Sequence, residues 1–191
     1  MEASSPMTLV RPGAEHLPGY TEALELGWSP DNVRGAEAAR EELQQIQRDP
    51  VRFLARLEDR EARGGPVTLP DGSTVPRLPG YVLWMWDGAF CGVIGFRWQP
   101  GTPELPPHVL GHIGFSVVPW KRRRGYATAA LGQLLPRVRA EGLSYVELTT
   151  DPSNTASRKV IEANGGILVE RFAKPDAYGG SPGLRFRIAL R

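Results

Sequence analysis

The sequence predicts a single α/β domain: a mixed sheet covered by helices on both faces. Three observations carry that expectation. At 191 residues there is enough chain for one real core and too little for two comfortable ones. Apolar runs of strand character alternate with stretches of helical spacing in the order strand, helices, three strands, helix, strand, helix, two strands. No internal repeat or low-complexity tract interrupts that order.

Thr8 to Arg11 suits a first strand and stops at Pro12-Gly13. Residues 14 to 27 and Gly35 to Arg48 read as helices. Asp49-Pro50 reads as an N-cap followed by a first-turn proline, opening a third helix. There Val51, Leu54 and Leu57 would form the apolar stripe and Arg56, Glu58, Asp59, Arg60 and Glu61 a solvated face. Gly64 to Gly80 is dense in Pro and Gly around Pro70-Asp71-Gly72, so it is expected as a loop or small hairpin. Tyr81 to Trp86 and Phe90 to Trp98 form two antiparallel strands about the tight turn Asp87-Gly88. Their aromatic residues Trp84, Trp86, Phe96 and Trp98 are expected in the core.

Val109 to Val118 is expected as a central, fourth strand. It runs into Pro119-Trp120-Lys121-Arg122-Arg123-Arg124-Gly125, after which Ala127, Leu131, Leu134, Leu135 and Val138 repeat at helical spacing. Pro136 inside that helix predicts a kink near Gly132. Tyr145 to Thr150 is the fifth strand, and a helix from Asn154 to about Asn164 is stopped by Gly165-Gly166. Ile167 to Phe172 and Leu184 to Leu190 are the last two strands, separated by the polar loop 173–183.

A basic loop that turns through a glycine into a helix can present several main-chain N–H groups at the positive end of the helix dipole. Arg122, Arg123 and Arg124 add formal charge there, and Arg122 and Arg124 could pair with phosphates bidentately. A Cβ at Gly125 would hold an anion away from the main chain, and the small Ala127 leaves room at the first turn. The loop has the character of a pyrophosphate cradle. Neither Gly-Lys-Ser/Thr nor G-x-G-x-x-G is present, which argues against nucleoside triphosphates and dinucleotides.

The pattern Arg122-x-x-Gly125-x-Ala127, preceded by Val117-x-Pro119, resembles the acyl-CoA signature of the GNAT (GCN5-related N-acetyltransferase) family. A second motif, Asn154-x-x-Ser157 with Glu162 and Asn164-Gly165-Gly166, resembles the family's helix after the fifth strand. The resemblance covers residues 81 to 172. It implies the acyl-CoA N-acyltransferase fold: a mostly antiparallel central sheet in which parallel strands 4 and 5 splay apart. It divides the single domain 1–191 into an N-terminal strand and acceptor-side helices (7–63), an inserted loop (64–80), an acyl-CoA-binding core (81–172) and a C-terminal loop and strand (173–191). It further implies acetyl-CoA as co-substrate, bound by Val117, Arg122, Arg123, Arg124, Gly125, Tyr126, Ala127, Thr128, Asn154 and Ser157. Asn154 could equally be a helix cap, and Ser157 could bond only within its own helix.

Acetyl transfer to an amine needs a neutral amine, a polarised thioester and a proton for the departing thiolate. His112, where several members of the resembled family carry a glutamate, is the candidate base, since imidazole titrates near neutrality. Glu147 on the next strand is the runner-up. The family's usual acid, a tyrosine seven residues after the asparagine, is Ile161 here. Tyr145 and Tyr178 are the candidate substitutes. The reading is therefore an N-acetyltransferase working by direct attack of a primary amine, a small molecule or a peptide N-terminus. The alternative is a non-catalytic acyl-CoA-binding module that lost its acid.

Composition excludes other classes. The net charge is only +2, and one basic run without a basic face does not make a nucleic-acid binder. Three His and one Cys without H-E-x-x-H or C-x-x-C spacing give no metal site. The lone Cys91 precludes an internal disulfide and is a poor nucleophile candidate. No signal-like or membrane-spanning run is present, so a cytoplasmic protein is expected, starting at Met1 or Met7. A homodimer is compatible with this reading.

Overall fold

A computed structural model describes residues 6–190; Met1, one of the two candidate starts, lies outside the described residues, as does Arg191. In chain order the elements are β1 (Thr8–Val10), α1 (Leu17–Glu25), α2 (Ala36–Arg48), α3 (Pro50–Ala55), β2 (Glu58–Asp59), β3 (Val67–Thr68), β4 (Thr74–Val75), β5 (Gly80–Trp86), β6 (Phe90–Arg97), β7 (Ile113–Val117), α4 (Tyr126–Arg139), β8 (Tyr145–Thr150), α5 (Thr155–Ala163), β9 (Ile167–Ala173) and β10 (Pro182–Ala189). One sheet has the order β1-β5-β6-β7, with β2 also paired to β5; a second has the order β8-β10-β9. Every ladder is antiparallel. The Pro- and Gly-rich insertion closes as the small hairpin β3-β4.

Strand alternation puts a core on each face of the first sheet. On one face Trp84, Phe90 and Val93 meet Leu17, Tyr20, Ala39 and Phe53 of α1–α3, with Tyr20 stacked on Trp84 at 4.6 Å between ring centroids. On the other, Met85, Ile94 and Phe96 meet Leu131, Leu134 and Val138 of α4 and Ile161 of α5, and this core continues under the second sheet through Val146, Leu148, Leu184 and Phe186. α4 runs unbroken through Pro136. An internal proline costs about 3 kcal/mol, whereas the fully buried Leu131, Leu134 and Val138 contribute roughly 2 kcal/mol each. Packing outweighs the local penalty.

Two boundaries differ from the sequence reading. The third helix ends at Ala55, and Glu58–Asp59 instead pair with β5, where Val82 N–H donates to the Leu57 carbonyl at 2.8 Å. A helix this short buries one side chain, Phe53, and leaves Val51 76% exposed, so the expected Val51-Leu54-Leu57 stripe does not form. The central strand begins at Ile113 rather than Val109. Val109 N–H closes a turn on Pro106, and His112 spends its main-chain groups on two different neighbours, the Glu147 carbonyl and the Arg97 N–H.

Between β7 and β8 the sheet divides. The chain joins them through α4, a helical crossover of the kind that parallel neighbours require. Yet no ladder links them among the described residues, and this break in the pairing, the gap between the half-sheets, lies next to the loop that follows β7.

Candidate active site

The loop after β7 is shaped by its main chain. Val118 N–H makes the last contact with β6, at the Cys91 carbonyl (3.0 Å). Pro119–Lys121 then form one 3-10 turn. Arg123 and Gly125 take positive φ, +62° and +75°. Glycine adopts that conformation freely, whereas an arginine there is strained, a form of strain that concentrates in ligand-binding loops. The N–H groups of Tyr126, Ala127 and Thr128 fall in the first turn of α4 and have no acceptor within the helix. No side chain caps them. A Cβ built on Gly125 meets nothing within 4 Å, and Arg122, Arg123, Arg124 and Gly125 are all exposed. An open, electropositive helix start of this kind fits a phosphate-bearing ligand. The Arg122 side chain folds back, its Nε donating to the Val117 carbonyl at 3.2 Å.

Asp87, in the β5–β6 turn, holds the loop in place. Its carboxylate accepts the Lys121 ammonium at 2.9 and 2.8 Å and the Tyr126 hydroxyl at 2.6 Å. Burial alone would raise this carboxyl; the bonds from Lys121 and Tyr126 outweigh it and hold it at about 2. One carboxylate thus fixes the loop on both sides of residues 122–125. It also neutralises Lys121, leaving the three arginines as the loop's free cations.

The alternation of the β6–β7 ladder, with Val118 N–H turned to β6, turns the main-chain groups of Val117 and Phe115 the other way, toward β8. These groups line the gap between the half-sheets. β8 ends at Thr150 and is followed by the turn that carries Asn154. Asn154 caps α5, its Oδ1 accepting Ser157 N–H at 3.0 Å. α5 ends as expected, with Gly165 at φ +83° and Gly166 N–H returning to the Ile161 carbonyl at 2.9 Å.

The two candidate bases meet at the closed end of the gap. His112 is fully buried. Its N–H donates to the Glu147 carbonyl at 2.7 Å, and its Nδ1 accepts Glu147 N–H at 2.9 Å. Nε2 is buried without a partner. Burial pushes the imidazole down to about 4, against the opposing pull of Glu147. The Glu147 side chain accepts Arg185 Nη1 at 3.0 Å on Oε2 and Arg187 Nη2 at 2.7 Å on Oε1. Arg187 also stacks over Tyr145, 3.9 Å from its ring centroid.

The other candidates lie apart from this. Ile161 is 1% exposed and belongs to the core beneath α4. The Tyr178 hydroxyl donates to the His108 carbonyl at 2.8 Å. Cys91 is buried, and burial pushes its thiol up to about 12, which suits a small core residue. Among the described residues no group of three or more His, Cys, Asp or Glu could hold a metal ion, and no helix is long and apolar enough to cross a membrane.

Sequence reasoning missed Asp87, which it read only as a turn, because its partners lie 34 and 39 residues away. Arg185 and Arg187 were legible in principle: two arginines two apart on a strand share a face.

Residues 37–167 match the family model described as the acetyltransferase (GNAT) domain. Among curated proteins no sequence matches significantly. Solved structures share the fold at low identity. An acetyltransferase from Salmonella typhimurium that modifies the N-terminal serine of ribosomal protein L7/L12 superposes with a TM-score of 0.63 at 12% identity, over 99% of this chain and 98% of that one. The microcin C7 self-immunity acetyltransferase MccE, in complex with acetyl-CoA and AMP, gives 0.62 at 12%, over 96% and 92%. RimL, the ribosomal L7/L12 α-N-protein acetyltransferase, in complex with CoA, gives 0.59 at 14%, over 98% and 97%. With a family model spanning well over half of its length and this fold throughout, the chain belongs to the GNAT acetyltransferase family.

Proposed function

We propose that this protein is an N-acetyltransferase that moves the acetyl group of acetyl-CoA to a primary amine by direct attack. The observation that carries the reading is the uncapped start of α4, entered through Gly125 and flanked by Arg122–Arg124, beside the unpaired edges of β7 and β8. In this reading the first-turn N–H groups and the arginines take the pyrophosphate. The pantetheine lies in the gap along the outward main-chain edge of Phe115 and Val117, and Asn154 and Ser157 border it. N–H groups of that edge polarise the thioester oxygen where negative charge develops.

The amine nitrogen attacks the carbonyl carbon, the C–S bond breaks, and the amide nitrogen loses the proton that the amine brought. Positioning supplies most of the rate. No tyrosine occupies the position of Ile161, so the thiolate takes its proton from water. Of the two candidate bases, His112 already accepts a main-chain N–H on Nδ1, so Glu147 is the candidate proton acceptor, with water as the carrier between amine and carboxylate. The acceptor side is the one built by α1–α3, the N-terminal helices. The acceptor class is a peptide N-terminus, the kind that the L7/L12-modifying neighbour acts on, or a small-molecule amine. With its single cysteine buried, the protein suits a reducing, cytoplasmic setting.

A second reading, a non-catalytic acyl-CoA-binding module, is favoured by one observation: His112, Glu147 and Ile161 are all occupied structurally. Turnover separates the two. Thiol release from acetyl-CoA, dependent on amines drawn from peptides, amino acids and aminoglycosides, supports the enzyme; tight acetyl-CoA binding with no release on any acceptor supports the module.

A further inference from the structure

His112 stands where β6, β7 and β8 meet. Its carbonyl is taken by Arg97 N–H of β6 at 2.9 Å, so it cannot serve β8. Glu147 nevertheless turns both its carbonyl and its N–H toward His112. The His112 main-chain N–H satisfies the first at 2.7 Å and its ring Nδ1 the second at 2.9 Å. The imidazole thus does the work of the missing carbonyl. Because Nδ1 accepts, the ring proton sits on Nε2, which is buried and has no hydrogen-bond partner.

The neighbouring residue reports the same close approach independently. A Cβ on Gly111 would lie 3.1 Å from the Glu147 carbonyl oxygen and 3.3 Å from Leu148 Cα. The half-sheets are pressed together at this point, and beyond it no ladder joins β7 to β8 among the described residues.

We propose that His112 is a positioning residue, a side-chain clamp that fixes the separation of β7 and β8 and so sets the width of the acyl slot. This rests on the acyl-CoA reading. A group already accepting a main-chain hydrogen bond inside the core has no lone pair left for an amine, since its second nitrogen carries the proton. The clamp makes the slot fit acetyl and reject longer acyl groups.

Three variants test it. His112→Asn keeps an acceptor the same number of bonds from Cα; His112→Phe keeps a ring and removes the acceptor; Gly111→Val leaves His112 intact and wedges the strands. Each is assayed for kcat/KM with acetyl-CoA and butyryl-CoA, and for hydrogen exchange at the Glu147 amide. His112→Phe and Gly111→Val should raise the butyryl-to-acetyl ratio about tenfold, the scale on which a pocket discriminates methylenes. His112→Asn should restore that ratio and the amide protection that His112→Phe loses. Unchanged selectivity in both His112→Phe and Gly111→Val would overturn the clamp. So would a His112→Asn enzyme that lost the acid limb of its pH–rate profile, the mark of a general base. Should His112→Phe not fold, Gly111→Val and His112→Asn still decide. Failure of the wild type to bind acetyl-CoA would sink the functional reading instead, and the Glu147 amide would still read the clamp.

Discussion

The Tyr126 hydroxyl and the Lys121 ammonium converge on one oxygen of Asp87, at 2.6 and 2.8 Å. These contacts join the β5–β6 turn to both flanks of the loop that opens α4, so the loop is held before any ligand arrives. Pre-organisation of this kind lowers the ordering cost of binding. Asp87→Asn keeps the shape but leaves a largely buried ammonium without its counter-charge. We expect it to weaken CoA binding about tenfold, near 1.4 kcal/mol, measured by calorimetry. Unchanged affinity would mean that the loop holds its own shape.

The same carboxyl makes an acid-stability prediction. Its folded value, about 2, lies below the ordinary value near 3.9. Its contribution is therefore present above pH ~4 and lost as pH falls toward ~2, on the order of 2 kcal/mol. Asp87→Asn should remove that component from a plot of unfolding free energy against pH.

His112 acts in a higher window. Burial holds its folded value at about 4, with Glu147 pulling the other way and Arg97 adding to the depression; the unfolded value is near 6.5. The unfolded chain binds the extra proton first, so stability is fully present above pH ~6.5 and falls as pH drops to ~4, by roughly 3 kcal/mol. His112→Asn should flatten that slope in denaturant titrations. A wild-type stability that is flat between pH 6.5 and 4 would contradict the burial described here.

Asn154 caps α5 whether or not it also meets the ligand. Asn154→Ala should cost about 1 kcal/mol of stability through the lost cap. Asn154→Asp keeps an oxygen for Ser157 N–H but loses the amide donor. It should melt close to the wild type and bind CoA several-fold more weakly, a size typical of one lost hydrogen bond. Wild-type affinity in Asn154→Asp would reduce Asn154 to a cap.

The parts of the fold legible in the sequence were those set by local chemistry: the Asp49-Pro50 helix start, the Gly165-Gly166 stop, the Pro70-Asp71-Gly72 hairpin and the glycine turn into α4. The parts that were not depend on contacts distant in sequence. Nothing near Glu58 signals that it leaves a helix to pair with Tyr81. Nothing near His112 signals that its carbonyl goes to β6 and its ring to β8. The resemblance proposes a cradle at this loop because backbone-built sites leave glycines at fixed spacing. It says less about the bases, because His112 and Glu147 take their character from burial and from Arg185 and Arg187.

The central claim is acetyl transfer from CoA to an amine, and thiol release from acetyl-CoA tests it most directly. Wild-type protein and Gly125→Glu would be compared across peptides, amino acids and aminoglycosides, with acetyl-CoA binding measured alongside. Amine-dependent release by the wild type, lost together with binding in Gly125→Glu, is the predicted result. Equal acetyl-CoA binding by the two proteins, or none by the wild type, would contradict the account.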